Sequence, residues 1–192
     1  MIPRLPSLCL AMMLAAAAAP ADQPGAAPQS ACPPPMEFAG RKADLLAELQ
    51  HTRSRADGLF LTRHLVEIFA TAPNRDAQKL LEEAVALRRA HAPAAAEQVL
   101  GDLIAYCPDF AEGYRQRALL RRQTGDLDGA LADLDRALVH APDHLAAMAG
   151  RLQVLIELDR TAEAGRTRDA LLALNPWMPL DHLEDATPGL ML

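Results

Sequence analysis

Histidine is the residue type in this sequence with the widest scope for metal chemistry, and it occurs six times. The six are His51, His64, His91, His140, His144 and His182. A zinc site needs about four converging ligands, usually with a characteristic spacing. His140 and His144 are four residues apart, but Pro142 breaks any helix between them, so the two rings need not share a face. The histidine pattern therefore predicts no metal site.

Residues for nucleophilic catalysis are also scarce. The sequence has no Gly-x-Ser-x-Gly motif, no phosphate-binding P-loop and no glycine fingerprint for dinucleotides. Cys107 precedes Pro108 at a predicted helix end, where a structural role is the simpler interpretation. Paired carboxylates such as Asp133 and Asp135 are interpreted as ordinary solvated positions on a helix surface. We therefore predict no catalytic residue, no cofactor and no enzymatic activity.

The first residues have the features of an export signal. Arg4 provides a positive start, an apolar run follows as far as Ala19, and Ala19-Pro20-Ala21 fits the small-x-small cleavage pattern. We predict that residues 1–21 are a cleaved leader and that the protein is periplasmic or secreted. No transmembrane anchor is expected after cleavage. The alternative is an uncleaved anchor, for which the apolar run is short.

Two cysteines remain once the leader is removed, Cys32 and Cys107. An even number in an oxidising compartment favours one disulfide between them. The alternative is two unrelated thiols, one of them in a tail. Cys32 also follows a Ser-Ala pair that resembles the end of a lipobox. However, Gln29 stands where Leu or Val is needed, so we do not expect lipidation there.

Composition favours an all-helical protein that does not bind nucleic acid. Apolar residues make up 51 % of the chain and aromatic residues only 4 %. Alanine and leucine, which are strong helix formers, supply much of the apolar content. The net charge is −6 and the pI about 5.5. Nucleic-acid binding needs an excess of Lys and Arg, so this balance argues against it.

The pattern changes between residues 22–40 and residues 41–73. High proline density in the first segment predicts a Pro/Ala-rich linker without helix. Leucines at helical spacing in the second segment then predict a hairpin of two helices, with a break at 54–58. This pair carries no clear repeat signature, so we regard it as a degenerate helical hairpin.

A period of 34 residues runs through the next part of the chain. Three columns share it: Pro108, Pro142 and Pro176; Ala96, Ala130 and Ala164; Ala84, Ala118 and Leu152. Three independent columns with one period are not expected by chance. The period predicts three repeats over residues 77–178, each with two helices.

The repeat from Ala111 to His144 has the clearest pattern. Ala118 and Ala130 mark where its two helices cross closely, because a large side chain would push them apart. Gly125 allows the left-handed conformation of the turn between the helices. This repeat therefore predicts a tightly packed helical hairpin.

The last repeat departs from this pattern. Asp159 stands where glycine is expected and Arg168 where a large apolar residue is expected. Both changes predict a frayed or solvent-facing outer surface on that repeat. A stack of repeats exposes the apolar face of its last unit, so residues 179–192 are predicted to form a cap and tail. Trp177 is interpreted as a structural lid over that face.

With these features the sequence resembles the tetratricopeptide repeat proteins. The resemblance covers 77–178, and in Ala105–Tyr114 and Asn175–Pro179 it narrows to exported alphaproteobacterial proteins of this kind. It implies an all-α fold, an α-α superhelix or solenoid of about four helical hairpins. Each hairpin is expected to shield its apolar side against the next one. The resemblance also implies protein interaction and supplies no catalytic residues.

In such solenoids the first helix of each hairpin lines a concave groove, and counting along the predicted helices selects the residues expected there. They are Leu81, Val85, Arg88, Glu112, Arg115, Leu119, Arg122, Ala149, Gln153 and Ile156. The three arginines could pair with an acidic peptide or a free carboxylate. The alternative is that they only solvate helix C-termini, where cations interact favourably with the macrodipole.

We therefore predict an exported interaction module or assembly scaffold that binds a protein or peptide partner in this groove. Two alternatives from other classes stay open. A helical periplasmic enzyme or metal-dependent hydrolase would need a deep pocket with titratable groups of perturbed pKa. A purely structural protein would self-associate through the uncovered ends of its stack.

Overall fold

The computed structural model describes residues 32–33 and 38–180, which form eight α-helices and no strand. The helices are α1 (Phe38–His51), α2 (Arg55–Phe69), α3 (Arg75–Arg89), α4 (Pro93–Tyr106), α5 (Ala111–Gln123), α6 (Leu127–His140), α7 (Leu145–Glu157) and α8 (Thr161–Leu174). The predicted all-α class is confirmed. The predicted leader, most of the predicted linker and the tail from residue 181 lie outside the described residues. The linker prediction is wrong for residues 38–40, which form the first turn of α1. Within the described ranges, no helix combines the length and apolar character that a membrane span requires.

Consecutive helices pair into four hairpins, and the turns of the last three share one backbone feature. A single residue in each turn has a positive φ: 56° at His91, 86° at Gly125 and 56° at Asp159. These residues are 34 positions apart, so the sequence period extends to the backbone conformation. The left-handed turn predicted at Gly125 is confirmed. The other two turns adopt the same conformation with a residue that carries a Cβ, which costs energy.

The last repeat is ordered at the two positions that depart from the repeat pattern. Asp159 makes the turn without glycine, and α8 begins at Thr161 two residues later. The Arg168 side chain is only 16 % exposed, and its guanidinium pairs with Asp169. Leu171 is fully buried in the core. The prediction of a frayed or solvent-facing last repeat is therefore wrong. Asp159 adopts the left-handed turn, and the Arg168 side chain is largely buried.

The residues of the two helical columns are packing positions. Ala96, Ala130 and Ala164 are 0 % exposed, and Ala84, Ala118 and Leu152 are 1 % exposed. Each proline of the third column follows the second helix of a hairpin, two residues beyond its end. Small side chains at the crossings allow the helices of a hairpin to approach closely. The repeat period is therefore the period of helix packing.

A buried ion pair joins the two helices of the middle repeat. Asp133 on α6 is 3 % exposed, and its carboxylate accepts two hydrogen bonds from Arg117, at 2.8 and 2.7 Å. A second guanidinium, that of Arg121, lies 3.0 Å from the same carboxylate. Asp135 is exposed and pairs with Arg151 at 2.7 Å. The expectation of solvated carboxylates therefore holds for Asp135 and is wrong for Asp133, whose face of α6 lies against α5.

The first hairpin does not lean on its neighbour in sequence. Helix α2 packs against α7, and Leu49, Leu61 and Leu65 belong to the main core that α5 to α8 form. The buried residues of a second core come from α3, α4, the loop after α4, and α5. The expectation that each hairpin packs against the next is therefore wrong for α1 and α2, which reach across to the other end of the stack.

Specific side-chain contacts hold the first hairpin in this position. The Asn175 side chain, just after α8, donates a hydrogen bond of 2.8 Å to the hydroxyl of Thr62 on α2. The ring of Phe69, at the end of α2, stacks on His144 at the start of α7 with centroids 4.2 Å apart. Both contacts join residues that are distant in the sequence, so no local pattern encodes them.

A glycine inside α2 makes room for a tryptophan. The predicted break at 54–58 is shorter in the structure, because Ser54 caps a helix that begins at Arg55. Gly58 is therefore helical, and the Trp177 side chain lies against it so closely that a Cβ at position 58 would overlap the indole ring. Trp177 covers the first hairpin rather than only the face of the last repeat.

A disulfide ties the chain before the first hairpin to the end of α4. Cys32 and Cys107 are bonded, with Cα atoms 5.0 Å apart, and they are 75 positions apart in sequence. Cys107 is 1 % exposed and belongs to the core of α3 and α4. The first hairpin is therefore restrained both by this bond and by its contacts with α7 and the segment after α8.

Candidate functional site

The first helices of two adjacent repeats, α3 and α5, border a cavity of about 360 Å³. Its walls are formed by Ala70, Gln78, Leu81, Glu82, Val85, Ala86, Arg89, Glu112 and Gln116. Three residues predicted for the groove, Leu81, Val85 and Glu112, are therefore together here. Cavities of this size bind small ligands or single side chains, and the aliphatic part of the lining suits an apolar group.

A second, smaller hollow of about 30 Å³ lies between α5 and α7. Of the predicted groove residues, it is lined by Arg115, Leu119, Arg122 and Gln153. We use the name groove for the surface formed by the cavity and this hollow. Arg88, also predicted for the groove, lines neither of them. Ala149 and Ile156, also predicted there, pack against the main core instead.

Glu112 lies in the cavity wall, but its carboxylate is engaged by the protein itself. The residue is 2 % exposed, and Arg115 donates two hydrogen bonds of 2.6 Å to it. Gln116 donates a third at 2.7 Å, and the Nε2 atom of His144 lies 3.2 Å from the carboxylate. Burial opposes ionisation, yet the hydrogen bonds and charges of Arg115 and His144 outweigh it and lower the pKa of Glu112 to about 2.

The ionisation of Glu112 does not suit general acid–base catalysis. A carboxyl with a pKa of about 2 is almost fully ionised at neutral pH and is a weak base, far from the pKa that general acid–base catalysis favours. Within residues 32–33 and 38–180, no three His, Cys, Asp or Glu side chains converge as metal ligands would. What the groove offers is a cavity with both aliphatic and polar walls, beside several guanidinium groups.

The three arginines predicted for the groove differ in their partners. Arg122 donates a hydrogen bond of 2.8 Å to Glu157, and Arg115 is bound to Glu112. Arg88 pairs with no residue in the described part of the chain, and its Nε atom is buried without a hydrogen-bond partner. Counting along the helices placed all three arginines on one surface but could not show which of them is neutralised.

Several residues of the cavity wall were not predicted. Gln78, Glu82 and Arg89 lie on the same side of α3 as Val85, so a wider count along that helix would have found them. Ala70 comes from the end of α2, and only the position of the first hairpin brings it to the cavity. No signal in the sequence pointed to that residue.

Helical hairpins that recur every 34 residues and line a groove with their first helices define an α-solenoid of the tetratricopeptide type. Among solved structures, the chain is similar to the TPR2AB domain of yeast Sti1, which is described as a complex with pHSP90. The TM-score is 0.54 and the identity 19 %, and the match covers 77 % of this chain. The match spans 62 % of the length of that structure. Because the identity is only 19 %, the likeness concerns the fold alone. No protein-family model and no curated protein matches the sequence.

Proposed function

We propose that this chain is an exported interaction module that holds a segment of a protein partner in the groove between α3, α5 and α7. The observation that carries the proposal is the cavity of about 360 Å³ between α3 and α5, in which Ala70, Leu81, Val85 and Ala86 form an aliphatic part of the wall that suits an apolar side chain. The shallow surface that follows towards α7 would hold the rest of the segment.

Two further observations support the proposal. The likeness to the TPR2AB domain of Sti1 is to a protein described in complex with pHSP90, so a solenoid of this shape can hold a partner. The sequence also predicts a leader at residues 1–21 and a mature protein with two cysteines, and Cys32 and Cys107 are bonded. A disulfide is stable in an oxidising compartment, which agrees with export.

The test of groove binding uses a bulky residue to fill the cavity. Ala86 is exposed and lines the cavity, whereas Ala132 is an exposed residue of α6 that lies outside the walls of the cavity and the hollow. The mature protein, Ala86→Trp and Ala132→Trp are each used to capture partners from periplasmic extract. We expect Ala86→Trp to lose at least one specifically retained protein that Ala132→Trp keeps. Equal retention by both variants would place binding elsewhere.

Export is tested separately. We expect the full-length protein to be recovered from the periplasmic or secreted fraction with a new N-terminus at Asp22. A variant that lacks residues 2–21 should stay in the cytoplasm. Recovery of both forms in the cytoplasmic fraction with an intact start would refute the predicted leader.

A further inference from the structure

Another cavity, of about 220 Å³, lies where the first hairpin meets the repeats. The start of α1 and the end of α2 form one side of it, and the loop before α5 and the end of α6 form the other. We use the name junction pocket for this cavity, which shares no wall residue with the groove. An apolar cavity of roughly 150 Å³ holds a benzene ring, so the junction pocket has room for a ring with a short chain.

Phenylalanine is concentrated in the wall of the junction pocket. The chain has four phenylalanines, and three of them, Phe38, Phe69 and Phe110, lie there. Phe110 is 7 % exposed and belongs to the core, whereas Phe38 is 40 % exposed at the start of α1. Aromatic rings pack favourably edge to face or offset against other rings. The apolar part of the wall therefore suits an aromatic ring that packs beside Phe38.

The positive charge in the wall is already neutralised by the protein. The ammonium group of Lys42 lies 2.8 Å from the carboxylate of Asp143. It also lies 5.4 Å from the ring centroid of Phe69, whose ring stacks on His144. An anionic ligand would have to displace Asp143 from Lys42, so the wall does not favour an anion.

A carboxylate at the rim of the junction pocket is open to a ligand. The Asp109 side chain is 80 % exposed, and its carboxylate lies 3.5 Å from Nδ1 of His140. That distance is longer than a typical N–H···O hydrogen bond, and a histidine is charged only when it is protonated. An ammonium group would give Asp109 a full opposite charge and up to three hydrogen-bond donors.

We propose that the junction pocket binds a small primary amine that carries an aromatic ring. The ring packs among the phenylalanines, and the ammonium group donates hydrogen bonds to Asp109. The ligand is a free small molecule, since the volume holds one ring and a short alkyl chain. This site is independent of the groove and of the protein partner proposed for it.

The position of the junction pocket gives this ligand a structural effect. Phe38 belongs to the first hairpin, and Asp109 belongs to the loop that connects two repeats. A ligand that contacts both binds only while the first hairpin is docked, and it stabilises that arrangement by mass action. Binding should therefore slow hydrogen exchange in α1 and α2.

The test is an NMR titration of the mature, disulfide-bonded protein with 2-phenylethylamine, 2-phenylethanol and 3-phenylpropionate. The methyl groups of Ala111 and Ala141 lie in the wall, so the ring current of a bound probe shifts their resonances. We expect the amine to bind about threefold to fivefold more tightly than the alcohol, which is the modest gain of an ion pair at an exposed carboxylate. The propionate should bind most weakly. Ala86, in the groove, provides the control resonance and should not shift.

Matched variants assign the two parts of the ligand. Asp109→Asn should remove the preference for the amine, and Asp102→Asn, at an exposed position of α4 outside the pocket, should keep it. Phe38→Ala should weaken the binding of both the amine and the alcohol. Phe60→Ala removes an exposed ring of α2 outside the pocket and should weaken neither. All four positions are exposed, so the substitutions leave the cores intact.

Three results would contradict this inference. Equal affinity for the amine and the alcohol, unchanged in Asp109→Asn, would overturn the assignment of an amine. Tighter binding of the propionate would show that the pocket takes an anion. No shift of the Ala111 or Ala141 resonance at millimolar concentrations of any probe would overturn the site itself. Partner capture with Ala86→Trp tests the groove separately, so none of these results decides the proposed function.

Discussion

The first hairpin and the three repeats are built from similar helices but are stabilised in different ways. In the repeats, small residues recur every 34 positions at the helix crossings, and each hairpin packs against its neighbour in sequence. The first hairpin has no such period, and it is held by a stacked ring pair, a hydrogen bond and a tryptophan that come from the far end of the stack. Periodic packing can be read locally, whereas long-range docking cannot.

This difference also assigns separate roles to the two regions. The repeats provide the groove through their first helices, while the first hairpin covers α7 and the segment after α8. Glu112 lies where the regions meet, because it binds Arg115 in the groove and lies beside His144, on which Phe69 stacks. The variants below change one region, the other, or the link between them.

The largest effect on stability is expected at Glu112, which links the first hairpin to the repeats. Glu112→Ala should destabilise the protein by about 4 kcal/mol, because it leaves the largely buried Arg115, 19 % exposed, and the buried His144 without their carboxylate. Chemical denaturation measures the loss, and hydrogen exchange should show it in both regions. The matched control is Glu157→Ala, whose partly exposed pair with Arg122 should contribute no more than about 1 kcal/mol. Similar losses of stability in Glu112→Ala and Glu157→Ala would show that Glu112 does not link the two regions.

Acid pH should weaken the same link without a mutation. The pKa of Glu112 is about 2 in the folded protein and 4.5 in an unfolded chain, so the unfolded state binds more protons between these values. The stabilisation by this group is complete above pH 4.5 and is lost as the pH falls to about 2. The loss amounts to about 3 kcal/mol. Urea unfolding between pH 6 and 2 measures it, and Glu112→Gln should show a smaller dependence on pH over that range.

Within the repeats, loss of the ion pair between α5 and α6 should have the next largest effect on stability. Asp133→Ala should cost about 2 to 3 kcal/mol, less than at Glu112, because Arg121 keeps its ion pair with Glu97 at 2.8 Å. Thermal unfolding measures the change. Asp135→Ala is the control and should stay within about 0.5 kcal/mol, since Asp135 is exposed. Equal effects at the two positions would show that burial of Asp133 is not decisive.

Gly58→Ala should act on the first hairpin alone. The new Cβ would overlap the Trp177 ring, and we expect a loss of about 1 to 2 kcal/mol, although alanine favours the helix. Faster hydrogen exchange in α1 and α2, with unchanged exchange in α3 and α4, would confirm the separation of the regions. Gly40→Ala, in α1 with open space around it, should stabilise by about 0.5 kcal/mol.

The smallest effect is expected in the turn of the last repeat. Asp159 has a φ of 56°, so Asp159→Gly should relieve backbone strain and raise stability by about 0.5 kcal/mol, part of the gain being offset by the greater freedom of the unfolded chain. The reverse change in the middle repeat, Gly125→Asp, should destabilise by a similar amount. Calorimetry measures the change in stability of both variants. A stabilising effect of Gly125→Asp would exclude backbone strain as the reason for the effect of Asp159→Gly.

The predictions from sequence were correct where a residue type has a single structural explanation at its position. The 34-residue columns predicted the helix crossings and the ends of the hairpins, and Gly125 predicted a left-handed turn. The predictions failed where a residue had two possible roles. Asp159 can form the same turn as glycine, and Asp133 can be either solvated or paired beneath Arg117. A single sequence carries no information on which role the surroundings select.

The sequence by itself determined the helices, their pairing and the three-repeat stack, because these depend on spacing along the chain. Only the tertiary structure decided where the first hairpin docks. It also decided that the Glu112 carboxylate is bound by other residues of the protein, and that Arg88, alone of the three predicted arginines, has no partner among the described residues. The physical reason is distance: those features depend on groups brought together from helices far apart in the chain, whose meeting no local period specifies.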